Sequence, residues 1–157
     1  TTGYSIKNSN GEYESISEAD IVNDDGTKVL RLNTFLKSSY NHASTTAYPI
    51  VKTNGSLPIT GKVKIDLELK TTKGAGFWMY HTTLSGVNYR LWKLESGGTE
   101  STALKVFDNT NTGAAANCDV YNTYTIIIDN ATGTAEFYLN GTSVYSATMP
   151  KKPTSSS

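Results

Sequence analysis

The sequence predicts an all-β chain folded as a two-sheet antiparallel β-sandwich. Three observations predict it. About ten to twelve short strand-like runs are separated by turn signals at regular spacing. No stretch has the period or length of a convincing helix, and the alanines at 114–116 are too few and too Gly/Asn-flanked to nucleate one. The span 124–149 reads as an antiparallel meander: a β-branched run at 125–128, the turn cluster 129–133, an alternating run at 135–139, then Asn140-Gly141 and a return strand. Asn-Gly is a strong hairpin signal because a type I′ turn needs φ > 0 at both central residues.

Taken in order, residues 4–9 form a first strand and Asn10-Gly11 turns it. Residues 12–22 hold one or two short strands, and Asn23-Asp24-Asp25-Gly26 is a hairpin turn. Residues 27–36 form the return strand, with Leu30 and Leu32 marking its core face. Residues 37–46 are polar and aperiodic, a loop carrying Tyr40 and His42. Residues 47–52 contain Pro49 and so suit only an edge strand. The strongest alternation lies at 61–71: Val63, Ile65, Leu67 and Leu69 on one face, Lys62, Lys64, Asp66, Glu68 and Lys70 on the other. That pattern is a strand with one face in water. Two aromatic-rich strands follow, at 76–82 and 87–94. Residues 103–107 form another strand, and 108–119 are expected to be a long polar loop.

Length suits one domain over residues 1–150, and residues 151–157 read as a remnant of a linker to further chain. The formal net charge is 0, so no strong field draws the protein to nucleic acid or an acidic membrane. No apolar run approaches the roughly 18 residues of a membrane span. A single cysteine, Cys118, excludes an intrachain disulfide. Ten tyrosines in a chain rich in Thr, Ser, Asn and Gly fit a secreted protein whose surface bonds neutral polar ligands. The sequons at Asn54, Asn130 and Asn140 fall in predicted turns.

The run from Gly26 to Leu32, the alternating strand from Gly61 to Leu69, and Thr125-Ile126-Ile127-Ile128-Asp129 followed by Phe137-Tyr138-Leu139-Asn140-Gly141 resemble the concanavalin A-like, laminin-G-like jelly rolls. The resemblance implies two antiparallel sheets packed face to face, one of them curved. It also implies saccharides lying across the concave face or along its rim loops, as in the carbohydrate-binding modules and glycan-cleaving enzymes of that fold. Many such modules hold a structural calcium. Asn23-Asp24-Asp25 and Asp108-Asn109 carry suitable oxygens, although the same residues fill turns for their own reasons.

Glucanases of this fold carry Glu-x-Asp-x-Glu on one strand, which places three carboxylates on one face. Here the stretch reads Lys64-Ile65-Asp66-Leu67-Glu68, with lysine in the first position, so the expected nucleophile is missing. A lyase would need a base and a cation, which His81, Tyr80 and Arg90 would have to supply without a supporting motif. Two histidines and one cysteine make a zinc site improbable. No catalytic residue and no metal ligand is assigned, and no cofactor is required.

Sugar recognition rests on aromatic rings, which remove the C–H face of a pyranose from water while polar neighbours bond its hydroxyls. Strict alternation puts Trp78 and Tyr80 on one face of their strand and Phe77, Met79 and His81 on the other. On the next strand it groups Arg90 with Trp92. Pairing the two strands gathers Trp78, Tyr80, Arg90 and Trp92 on an outer face, and leaves Lys93 on the core side. Glu136 and Tyr138 point outward from the meander and join the groove if theirs is the same sheet; Tyr40 and His42 are rim candidates. The expectation is a monomeric, non-catalytic module of a secreted bacterial enzyme that degrades plant cell walls. Its ligand would be a polysaccharide of the β-glucan, hemicellulose or pectin class. The alternatives are a cell-surface adhesin of the same fold, or a small lyase or glycoside hydrolase.

Overall fold

In the computed structural model, residues 4–7, 9–10, 13–36, 58, 60–82, 88–96, 100–107 and 109–150 are described. Alternating apolar and polar residues, punctuated by Gly, Asn and Asp, fold these segments into eleven strands. They are β1 (Tyr4–Lys7), β2 (Tyr13–Asp24), β3 (Thr27–Leu36), β4 (Lys62–Lys70), β5 (Phe77–Thr82) and β6 (Asn88–Ser96). They continue with β7 (Ser101–Val106), β8 (Thr110–Asn117), β9 (Tyr121–Asp129), β10 (Thr134–Leu139) and β11 (Thr142–Thr148). There is no helix among the described residues. The chain divides into two compact units, Thr1–Asn54 and Gly55–Ser157.

The first unit contains one antiparallel sheet of order β1-β2-β3. Asp25 and Gly26 turn β2 into β3, both with positive φ (49° and 86°), and Asn23 Oδ1 accepts the Gly26 N–H at 2.7 Å. Residues 13–24 form one long strand rather than two short ones. On its outer register Arg31 makes a two-pronged ion pair with its ladder partner Asp20, at 2.8 and 3.2 Å. Leu30 and Leu32, expected on a core face, are exposed, as is Ile21 opposite Leu30. The described residues of this unit form a single sheet, so no second layer among them covers that face.

The second unit is a two-sheet antiparallel sandwich. One sheet has the order β11-β10-β9-β4, the other β5-β6-β7-β8. The chain leaves β4, runs through the whole second sheet, and returns to place β9 beside β4 in a nine-pair ladder. Ile126 and Ile128 of β9, Ala135 and Phe137 of β10, and Leu94, Leu104 and Val106 of the facing sheet form the buried core. Val63, Ile65, Leu67 and Leu69 pack against it along one edge. Aromatic contacts cross the core: Trp92 stacks on Tyr124 (centroids 4.9 Å, 17°), and Phe107 meets Phe137 edge-on at 5.6 Å.

The meander keeps its expected form. Asn140 and Gly141 (φ 50° and 78°) make a two-residue turn between β10 and β11. Asn140 also ties the turn to β9, since its Oδ1 accepts the Thr123 N–H at 2.9 Å and its Nδ2 donates to Asn122 Oδ1 at 3.0 Å. At the other turn Asn130 is buried and donates from Nδ2 to Gly61 O at 3.1 Å. The side-chain amides of these two sequons are therefore already engaged in the fold.

The polar stretch expected to be a loop at 108–119 contains β8. Thr112, Ala114 and Ala116 lie on its inner side, with Ala116 fully buried. Asn, Gly and Ala are weak strand formers, and pairing with β7 overrides that weakness. Small side chains suit this edge strand because they need little inter-sheet room. The β7–β8 register shifts between Ala103 and Lys105, and Gly113 in β8 takes φ 78°.

Candidate functional site

The outer face of the β5–β8 sheet carries the aromatic cluster, and one irregularity decides its membership. Phe77 pairs with Leu94, Trp78 with Lys93 and Met79 with Trp92, but Tyr80 pairs with Arg90. Leu91 is the extra residue of a β-bulge, which breaks the two-residue alternation of β6. On one side of the bulge Arg90 faces outward beside Tyr80. On the other side Trp92 and Leu94 face inward, in cross-strand rows Met79–Trp92–Val106 and Phe77–Leu94–Leu104. The bulge is held from the end of β7, where the following residue, Phe107, takes φ 52° and its N–H donates to Leu91 O at 2.8 Å.

Trp92 is therefore not a member of the exposed cluster. It is 1% exposed, packed between Phe77 and Tyr124. Strict alternation from Arg90 would have exposed it and turned Lys93 into the core. The bulge reverses both, because two large apolar side chains gain more from burial than an ammonium loses by staying outward. Lys93 takes the outer side, opposite Trp78.

Trp78, Tyr80 and Arg90 do come together. Trp78 is 50% exposed and Tyr80 40%. Their rings meet edge to face, with centroids 6.2 Å apart at 71°. The Arg90 guanidinium carbon lies 4.8 Å from the Trp78 centroid and 5.5 Å from that of Tyr80, and Nη2 donates to Tyr80 Oη at 3.3 Å. Each cation–ring contact at such a site contributes about 0.5–1 kcal/mol. Together they fix two exposed rings and a fork of N–H donors on a sheet, a more rigid support than a loop.

Beside this platform runs a charged row that the sequence reading did not select. Lys93 is only 7% exposed, and its Nζ donates to Glu95 Oε1 at 3.1 Å. Glu95 Oε2 pairs with Lys105 of β7, which also reaches Asn109 Oδ1 at 3.5 Å. Lys105 and Lys93 hold the Glu95 carboxyl below its ordinary value of 4.5. The available signal was the Lys93-x-Glu95 spacing, which puts both residues on one strand face once the bulge is allowed for.

Glu136 and Tyr138 lie elsewhere. They belong to β10, on the outer face of the opposite sheet, so the core of the sandwich separates them from Trp78. Tyr138 donates to Glu136 Oε2 at 2.7 Å, and that bond raises the Tyr138 phenol above its ordinary 10.0. On the same face Asp66 accepts the Thr125 hydroxyl at 2.6 Å and pairs with Lys64 at 2.9 Å. These partners hold the Asp66 carboxyl below its ordinary 3.8, the wrong direction for a general acid. Tyr40, His42 and Asp108, together with the side chain of His81, lie outside the described residues.

Among the described residues no group of three or more His, Cys, Asp and Glu converges as a metal site. Asn23, named for calcium, spends its side-chain oxygen on the Gly26 N–H. Cys118 is buried and makes no disulfide. Among the described residues no helix is long and apolar enough to cross a membrane. Comparison with protein-family models, with curated proteins and with solved structures found no match.

Proposed function

We propose that this chain is a non-catalytic carbohydrate-binding module that holds polysaccharide on the Trp78–Tyr80–Arg90 platform. The observation that carries the reading is the pair of exposed aromatic rings, braced by one guanidinium on a sheet face. A pyranose laid on the Trp78 indole buries its C–H face against the ring, and Arg90 and Tyr80 supply donors and an acceptor to its hydroxyls. Joined by a linker to a catalytic domain of a secreted plant-cell-wall-degrading enzyme, the module would raise that domain's local concentration at its substrate. For a short flexible linker the effective concentration is about millimolar. The concanavalin A-like resemblance of the meander supports the same reading.

Affinity electrophoresis against a panel of β-glucans, hemicelluloses and pectins tests it. Retardation by at least one glycan, lost in Trp78→Ala with an unchanged unfolding midpoint, is the expected result. No retardation by any of them overturns the reading. Release of reducing sugar or of an unsaturated product would replace it with a hydrolase or a lyase. Capture of a protein partner with no glycan binding would replace it with an adhesin.

A further inference from the structure

Resting on the carbohydrate reading above, we infer that the platform grips one pyranose residue at a time, on a soluble or amorphous glycan, and does not lie along the flat face of a crystalline polysaccharide. Stacking needs a ring face that the sugar can lie against. The exposed aromatic rings described on the outer face of the β5–β8 sheet are Trp78 and Tyr80. Their centroids are 6.2 Å apart, close enough for neighbouring sugars, but their planes differ by 71°. A sugar lying flat on the indole therefore meets the phenol ring at a steep angle. In a crystalline polysaccharide the exposed sugar faces are parallel to one another, so a protein seated on such a surface needs coplanar rings.

The angle between the rings is held in place. The Arg90 guanidinium carbon lies 4.8 Å from the Trp78 centroid and 5.5 Å from that of Tyr80, and its Nη2 donates to Tyr80 Oη at 3.3 Å. Arg90 is itself fixed opposite Tyr80 by the bulge in β6. Turning both rings flat against the sheet would break the cation–ring contacts and the hydrogen bond together. Arg90 is thus a positioning residue for the two rings as well as a donor to the ligand.

The aromatic surface also stops within one strand. The cross-strand row that starts at Trp78 continues through Lys93, Lys105 and Asn111, which offer no ring. Lys93 and Lys105 are both engaged with Glu95, and Lys105 also reaches Asn109. A glycan chain that crosses the sheet from Trp78 meets polar groups with partners of their own. New hydrogen bonds there replace existing ones and contribute little net affinity. Stacking is therefore delivered by one sugar residue, and lengthening the chain adds no second stacked residue.

The test is calorimetric titration of the full chain with cello-, xylo- and manno-oligosaccharides and oligogalacturonates, each as a dimer and as a hexamer. In any series that binds, the hexamer is expected to be tighter than the dimer by no more than about threefold, the statistical gain of offering three times as many residues to one site. Tyr80→Leu is expected to weaken dimer and hexamer by the same factor, with an unfolding curve to show that the sheet is intact. In a depletion assay the protein is expected to stay in solution over microcrystalline cellulose and crystalline chitin. A hexamer gain beyond the statistical factor overturns this inference and leaves the carbohydrate reading standing. So does a Tyr80→Leu effect confined to the hexamer, or retention on either crystalline solid. No binding to any oligosaccharide or solid overturns both.

Discussion

Trp92→Ala removes a side chain that is 1% exposed and stacked on Tyr124 at 4.9 Å. A buried aromatic covers roughly 150–250 Å², which at about 25 cal/mol per Å² corresponds to about 4–6 kcal/mol, part of it retained by alanine. The stacking geometry adds about 0.5–1.5 kcal/mol. Against these, Trp92 Nε1 is buried with no hydrogen-bond partner among the described residues, and losing that group relieves about 1–3 kcal/mol. The net cost is about 3–5 kcal/mol, the usual range for a buried aromatic cut to alanine.

A domain has about 5–15 kcal/mol to lose. For a unit of about 100 residues, at about 4–8 °C per kcal/mol, the melting temperature falls by about 12 °C or more. Urea unfolding followed by circular dichroism measures the loss. Trp78→Ala, at an exposed position, is expected to stay within about 0.5 kcal/mol of the parent. The two single-tryptophan variants give an independent reading. Trp78→Phe leaves an indole shielded from acrylamide, and Trp92→Phe leaves one open to it. A Trp92→Ala protein with a parental midpoint and no glycan binding would refute the reasoning, because Trp92 would then be a ligand contact.

Glu95 is held below its ordinary 4.5 in the folded chain, so its contribution is fully present above that value and disappears as pH falls through the lower folded value. Acid unfolding of Glu95→Gln is expected to start from a less stable protein and to lose less below pH 4.5 than the parent does. Tyr124 is raised to about 12 by burial, so its contribution is complete below 10.0 and lost as pH rises toward 12. Tyr124→Phe is expected to flatten that alkaline loss and to remove one high-pH phenol from the ultraviolet titration. Its Oη is buried without a hydrogen-bond partner among the described residues, so neutral-pH stability should hold or rise. Gly141→Ala places a Cβ at φ 78° with no atom within 4 Å, so the cost is backbone strain of about 1–2 kcal/mol in chemical denaturation. Gly141→Asn should cost less, since Asn tolerates this region.

Much of the sandwich is readable from periodicity because burial acts on one face of each strand. Val63, Ile65, Leu67 and Leu69 alternate with charged residues, and the strand forms as that pattern requires. Asn140-Gly141 locates a hairpin because few other dipeptides accept two positive φ angles. β8 is not readable this way. Its residues are small and polar, its strand character comes from β7 alongside it, and no local preference signals a partner supplied by tertiary structure. The site divides along the same line. Trp78 and Tyr80 are two apart on a regular strand and share a face. Arg90 and Trp92 are also two apart, but an inserted residue lies between them, and strand period says nothing about insertions. The sheet to which Glu136 belongs depends on strand order, which alternation leaves open.

The bulge at Leu91 links the core to the outer face. A strict strand over residues 90–94 offers two choices: Arg90, Trp92 and Leu94 outward, or the same three inward. The first exposes two of the largest apolar side chains and buries Lys93. The second buries a guanidinium. One added residue removes the conflict, so that Arg90 braces the exposed rings while Trp92 and Leu94 fill the core. It also puts Lys93 on the outer face opposite Trp78, within reach of Glu95 and through it of Lys105. The local cost is an interrupted ladder and a left-handed Phe107 whose N–H secures Leu91 O. That cost is offset by the core built on Trp92. The cations beside the aromatic platform are thus set by the same register change that buries Trp92.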